Sequence, residues 1–245
     1  MSSVHRKNIP NHEVIVRGEA PEIFVASPDS RLATVIFGEG LYPKAVSRDL
    51  FRMYLQFRFN VYVDQTNMIS PDKVREDSTE SDEDDERSYH MGVFRNLGNG
   101  AVSIEACMRL IQKQDEKILP VEEHFPDAFI DAPAPIDSLE VSRLISRMDD
   151  RRENLMAIAN IFNTGVARTV RLGHGPAYGM VEPPLEKALA YLGAPSHRIA
   201  EPRLVEAYND DNLGLVVDVP EIVRRVGRES LDKILIEPGG INYWN

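Results

Sequence analysis

One cysteine, Cys107, is all that the 245 residues hold, so the chain forms no disulfide with itself. That usage fits a reducing compartment, and the cytoplasm is the expected location. No apolar run approaches the ~18–20 residues of a membrane span, and a transmembrane segment is not expected. The opening stretch, MSSVHRKNIPNHEV, has neither an apolar core nor a cleavage-like end, which argues against a secretory signal. Basic residues are in the minority. The 28 Lys and Arg against 39 Asp and Glu leave a net charge of −11, the reverse of the surplus with which nucleic-acid-binding proteins neutralise phosphates. An acidic protein partner then needs a local basic patch.

Several chemical signatures are also missing. The chain has no P-loop and no dinucleotide fingerprint. GHGPAYG, residues 173–179, has the glycines but follows a helix and precedes a strand, the wrong order for a phosphate cradle. None of the six histidines stands in an HExxH or beside a CxxC, so no metal site and no resident cofactor are expected. Ser142 and Cys107 have no nucleophile elbow or paired signature, which disfavours covalent catalysis. His90 and His174 read as structural.

What is present is an ordinary globular chain, 42% hydrophobic and long enough for one large domain. Residues 1–30 hold three prolines and short apolar pieces (EVIV, EIFV), the pattern of an N-terminal extension that is an arm or added strands. ATVIFG (33–38) is a first strand. From Pro43 the period becomes helical, with Phe51, Tyr54, Leu55, Arg58, Val61 and Tyr62 on one face. Strands are expected at SYHMGVF (88–94) and AVSIEACMRLI (101–111), joined by an LGNG turn, and at SLEVSRLIS (138–146). A long amphipathic helix with Leu155, Ile158, Phe162, Val166 and Val170 ends at Gly173. PAYGMVE is a strand, PLEKALAYLG a helix, HRIAE and LGLVVDV strands and VPEIVRRVG a helix. The order implies an α/β (α+β) fold, a mixed sheet flanked by helices in one domain over 31–228, with a tail at 229–245.

Four features break this pattern. Arg58 sits on the apolar helix face, one turn before Tyr62, where an arginine alone reads as a snorkelling edge residue. Arg109 lies inside the apolar strand ACMRLI. Glu140 and Arg143 lie inside SLEVSRLIS, where burying either charge unpaired costs several kcal/mol. Residues three apart on a regular strand point to opposite faces; a bulge, common beside active sites, would turn both to one side. Asp82 and Asp85 belong to EDSTESDEDDE (76–86), eight acidic residues in eleven, which composition reads as a solvated, mobile loop for most positions.

Together and in this order, these features resemble the acyl-homoserine-lactone synthases, the autoinducer synthases of quorum sensing. That family has an acetyltransferase-like (GNAT) three-layer fold, and N-acyl amino acid synthases are its relatives. The matching pieces are Arg58-Phe-Asn-Val-Tyr62, Asp82-Glu-Asp-Asp85 just before a strand, Arg109-Leu110-Ile111, Phe125-Pro126 and Glu140-Val141-Ser142-Arg143. The resemblance spans roughly residues 33–225. It departs at Met68, where the family has tryptophan, and at Tyr62, where it has phenylalanine, in the region that helps to form the S-adenosylmethionine pocket.

The resemblance implies an acyltransferase that carries a fatty acyl group from acyl carrier protein, or acyl-CoA, to an amine. S-adenosylmethionine is the foremost acceptor, with closure to a lactone; a free amino acid is the alternative, and Met68 favours it slightly. Glu140 would take the amine proton, Ser142 and Arg143 would stand beside it, and Arg58, Tyr62, Met68, Asp82, Asp85 and Arg109 would bind the amine. Leu144, Phe162 and Val166 would line the acyl tail, or be simply core. Arg147, Arg151 and Arg152, with Arg168 and Arg171, would receive an acidic carrier protein. The rival from another class is a non-catalytic ligand-binding module of the same fold, in which the acidic run and the N-terminal arm serve interaction.

Overall fold

The computed structural model describes residues 22–25, 32–39, 48–70, 77–98, 101–191 and 193–227. Most of the 1–30 extension and the whole of the 229–245 tail therefore lie outside the described residues. Strand β1 (Glu22–Val25) falls within that extension and pairs antiparallel with β2 (Leu32–Glu39).

The centre of the sheet is the hairpin of β3 (Ser88–Gly98) and β4 (Ala101–Gln112). In β4 every residue from Ala106 to Ile111 is buried. Such a run without alternation is what a strand shows when helices cover both faces. β5 (Leu139–Ser146) pairs antiparallel with β4, and β6 (Ala177–Val181) pairs parallel with β5. β7 (Ser196–Val205) and β8 (Asp210–Val217) complete eight strands in the order β1-β2-β3-β4-β5-β6-β8-β7.

Helix α1 (Arg48–Phe59) packs Leu50, Phe51 and Tyr54 onto one face, against Val35, Phe37, Phe94 and Cys107. On the other face α3 (Arg151–Leu172) buries Ala157, Ile161, Phe162, Val166 and Val170 against Met91, Met108 and Leu110. Each such side chain contributes about 1.5–3 kcal/mol. Asp150 caps α3, accepting from Glu153 N at 2.9 Å, and Gly173 ends it at φ +74°. At Gly165 the helix comes so near β4 that an added Cβ would strike the Met108 methyl. The short α2 (Pro120–His124), α4 (Pro183–Tyr191) and α5 (Val219–Val226) complete a helix–sheet–helix sandwich. No helix among the described residues is long and apolar enough to cross a membrane.

Two departures from the sequence pattern bear on function. After α1 the chain continues as a π-helical turn, Asn60–Gln65, in which Thr66 N and Oγ1 both donate to Val61 O, at 3.0 and 2.8 Å. Spacing alone reads α1 and this turn as one uniform helix; π turns are frequent at functional sites. The acidic run forms a 3-10 turn, Glu83–Arg87, opened by a capping box between Asp82 and Asp85. Asp77, Glu83 and Glu86 are exposed as a solvated loop requires, but Glu80 and Asp85 are buried. Their charge is matched in place, so water is not needed.

The register of β5 creates the site. It pairs with β6 only over Leu139–Val141, after which the two strands part and leave a cleft. On its other side Ile145 faces Cys107 and Ser142 faces Arg109, so Arg143 and Leu144 together oppose Met108. That is a bulge, and Arg143 takes φ +53° within it.

Candidate active site

The bulge turns the Arg143 side chain to the face that carries Glu140, where Arg143 Nη2 meets Glu80 Oε1 at 2.9 Å and Asp82 Oδ2 at 3.0 Å. From α1, Arg58 donates through Nε to Glu80 and through its two Nη atoms to Asp85 at 2.7 and 3.1 Å. From β4, Arg109 reaches Asp82 at 2.5 and 2.8 Å and Asp85 at 2.8 Å. Three guanidiniums thus meet three carboxylates in one network, nearly all of it buried. Each bidentate fork fixes a carboxylate's plane as well as its place.

Burial opposes the charge of these acids, yet the arginines outweigh it. Arg109 and Arg143 hold Asp82 down at about 2, and Arg58 and Arg109 hold Asp85 well below the usual range. Glu80 is likewise lowered by Arg143 and Arg58. His90 packs behind them. Its Nε2 donates to Asp85 O at 3.0 Å, so in the neutral ring Nδ1 accepts from Tyr54 OH at 3.2 Å. Burial pushes His90 down to about 4 and keeps it neutral. Arg87 fastens the same turn to the sheet, donating to Gln112 O, Lys117 O and Ile118 O at 3.0, 3.2 and 2.7 Å.

Glu140 is the exception. It is fully buried, and no guanidinium among the described residues bonds to it. Its Oε2 accepts from Val121 N at 2.8 Å, while Oε1 has no partner among the described residues. Burial pushes it up to about 8, with the Val121 N–H pulling the other way. A carboxyl poised there, next to a cleft, is suited to exchange a proton near neutral pH.

The cleft holds about 420 Å³. Its walls are β5 from Glu140 to Ile145 on one side and Met180, Val181 and Glu182 on the other, with Tyr62, Thr66 and Met68 at one end and Tyr208 at the turn after β7. The Arg143 guanidinium lies 5.1 Å from the Tyr62 ring centre and 5.6 Å from that of Tyr208.

Most of the residues singled out in the sequence come together here: Glu140, Ser142, Arg143, Leu144, Tyr62, Met68 and Arg147 line the cleft, and Arg58, Asp82, Asp85 and Arg109 stand behind it. Two groups do not join them. Phe162 and Val166 belong to the α3 core, around a gap of about 10 Å³, room for roughly one water. That space is packed core in this structure, where α3 seats Gly165 directly on Met108. The basic cluster is divided as well. Arg168 and Arg171 lie about 25–30 Å along α3 from Arg151, and Arg168 stacks on Tyr89 at 5.5 Å. Arg147 lines the cleft, and Arg151 and Arg152 stand exposed at the start of α3, a few residues further along the chain. Sequence reasoning passed over Glu80, Val121 and Tyr208, since nothing in the composition or spacing around them sets them apart.

Arg143 allows a test of the bulge. Arg143→Gly loses ion pairs but relieves a left-handed backbone, while Arg143→Ala loses the same pairs and keeps the strain. Both are expected to lower stability by about 2–4 kcal/mol, with alanine worse by about 1 kcal/mol. Urea unfolding measures both, and equal losses would mean that the bulge stores no strain.

The chain matches no protein-family model and no curated protein sequence. Solved structures are similar to it. The CoA-dependent acyl-homoserine lactone synthase BjaI, crystallised with SAM and isopentyl-CoA, has a TM-score of 0.61 at 19% identity, covering 85% of this chain and 95% of that one. The AHL synthase LasI has a TM-score of 0.61 at 15% identity, over 78% and 91%. TofI, in a ternary complex with an inhibitor and MTA, has 0.57 at 18%, over 84% and 97%. At identities this low the likeness shows the fold alone, the three-layer sandwich of a mixed sheet and flanking helices expected from the sequence.

Proposed function

We propose that the protein is an N-acyltransferase that moves a fatty acyl group from a carrier-protein thioester to an amine, foremost S-adenosylmethionine, with closure to an acyl-homoserine lactone. The observation that carries this reading is Glu140: a buried carboxyl with one oxygen unengaged among the described residues, pushed up to about 8, at the wall of a cleft of about 420 Å³.

In this mechanism Glu140 takes a proton from the amine, directly or through a water. The nitrogen attacks the thioester carbonyl, and bulge backbone N–H groups outside the β4–β5 ladder receive the oxyanion. The thiolate leaves, and the amide remains. If S-adenosylmethionine is the acceptor, its carboxylate then displaces methylthioadenosine and closes the ring. Arg143, Asp82, Glu80, Arg58, Asp85 and Arg109 hold the 77–87 segment against the cleft. The acyl tail lies along Leu144, Ile145 and Leu185 on the cleft side of the core.

The start of α3 supports a carrier protein over CoA. A helix N-terminus can receive a phosphate group, but here Asp150 caps it, with Asp149 and Glu153 alongside. Exposed Arg147, Arg151 and Arg152 offer an acidic carrier protein a landing patch. The double variant Arg151→Glu, Arg152→Glu is expected to raise KM for an acyl carrier protein by at least about tenfold. An unchanged KM would remove docking from this face.

Met68, in place of a rigid aromatic, favours the second reading, a free amino acid as acceptor. Release of methylthioadenosine from S-adenosylmethionine plus hexanoyl carrier protein supports the lactone synthase. Thiol release that depends on an added amino acid, with S-adenosylmethionine untouched, moves the acceptor. Thiol release with neither class of amine would contradict both readings.

A further inference from the structure

A second buried carboxyl stands behind the cleft with no part in the transfer chemistry described so far. Glu122, on the single turn of α2, is 6% exposed. Its Oε2 accepts from Leu119 N at 2.7 Å and from Lys113 Nζ at 2.5 Å, and its Oε1 accepts from Ala134 N at 3.0 Å. These bonds gather three distant points of the connection between β4 and β5: the residue that follows β4, the entry to α2, and the approach to β5. Lys113 N adds a bond to Ser138 O at 3.1 Å, closing the base of the loop. A five-residue helix has little stability of its own, so this clamp and the apolar contacts of Leu119, Val121 and Phe125 fix where α2 sits.

What α2 presents to Glu140 is one backbone group. Val121, the residue before Glu122, donates its N–H to Glu140 Oε2, the one hydrogen bond that the Glu140 carboxyl has among the described residues. We propose that Glu122 is a positioning residue: through Leu119, Ala134 and Lys113 it holds the Val121 N–H on Glu140, and so sets how readily that carboxyl accepts and releases a proton. Its consequence for turnover rests on the acyl-transfer reading; the positioning itself does not.

The physical link is the preference of a hydrogen-bond donor for the charged carboxylate. With the N–H in place burial holds Glu140 at about 8; with α2 displaced, burial is opposed only by the more distant Arg109 and Arg87, and the carboxyl stays protonated to higher pH. The other groups that act on Glu140 come from separate elements. They are Arg109 on β4, Asp84 and Arg87 on the 83–87 turn, and Tyr208 after β7. None of them bonds to Glu122. Glutamine at 122 puts an amide N–H₂ where an oxygen now accepts, so one clamp point faces a donor and opens.

The test is infrared titration of the full-length protein, without substrate. The absorption of the protonated Glu140 carboxyl is the band missing from Glu140→Gln, followed against pH. In Glu122→Gln its midpoint is expected to rise by about 1–2 units, the worth of one hydrogen bond to a charged group. In Lys113→Gln, which keeps both backbone bonds, a smaller rise is expected in the same direction. A folded Glu122→Gln with the wild-type midpoint overturns the proposal, even if its melting temperature is lower, since that is what a merely structural role would give. If Glu122→Gln does not fold, Lys113→Gln decides: a raised midpoint supports the proposal and an unchanged one overturns it. The pH profile of kcat/KM separates this idea from the function. Acyl transfer that depends on Glu140, with no midpoint shift in the variants, sinks the positioning and leaves the enzyme. A midpoint shift in a protein without acyl transfer sinks the enzyme and leaves the positioning.

Discussion

Glu140→Gln is expected to lower amide formation by about 10²–10⁴-fold and, above pH 8, to make the protein more stable. The two effects share one cause. The folded protein raises this carboxyl from the ordinary 4.5 to about 8 because burial disfavours its charge. A proton is therefore held more tightly in the folded state than in the unfolded one, and stability falls as pH rises from the unfolded value through the folded one. Over such an interval the loss from a single group is several kcal/mol by order of magnitude. Glutamine does not titrate and keeps an oxygen for the Val121 N–H, so its stability escapes that decline. Urea unfolding of both proteins at pH 6 and pH 9 measures the difference, which is expected to swing towards the variant by a few kcal/mol. A difference that ignores pH would mean that Glu140 is already ionised at rest, and its fitness as a base would need another source.

The charge network gives the second large effect, with the opposite pH dependence. Asp85→Asn is expected to lower stability by about 3–5 kcal/mol, because the bidentate bond of Arg58 and a contact of Arg109 lose their counter-charge where water cannot replace it. Glu86→Gln, one residue on and exposed, is expected to stay within about 0.5 kcal/mol of wild type. In the wild type Asp82, Asp85 and Glu80 all ionise below their unfolded values. Their contribution is thus complete above the ordinary carboxylate range and is lost as pH falls towards about 2, the Asp82 value. Acid unfolding followed by circular dichroism should begin in that window, and the Asp85→Asn variant should change less across it. Equal losses from Asp85→Asn and Glu86→Gln would mean that the run is solvated throughout.

The strands and long helices were legible because their periods are clean, as in ACMRLI or in the repeat from Leu155 to Val170 of α3. The charges inside apolar strands were the most informative signal. Glu140 and Arg143, three apart, share a face only through a bulge, and the structure has that bulge at Arg143 and Leu144. Glu80 was not legible, since its composition matches its neighbours and its burial depends on Arg143, far along the chain. The π turn escaped for a similar reason: it changes hydrogen bonding without changing which residues are apolar. Phe162 and Val166 fit a tail pocket and a core equally well in the sequence, because both are lined by the same apolar residues; the structure packs them in the core, with Gly165 close against Met108. The Val121 and Glu122 positions carry no sequence signal, because one acts through its backbone and the other through a loop closure.

The central claim is that Glu140 removes a proton from an amine that attacks a thioester. The most direct measurement is mass spectrometry of the products formed by purified wild-type and Glu140→Gln proteins, each given hexanoyl carrier protein and S-adenosylmethionine. The expected result is an N-acyl homoserine lactone from the wild type and almost none from the variant. Equal amounts of acylated product from both would contradict the claim.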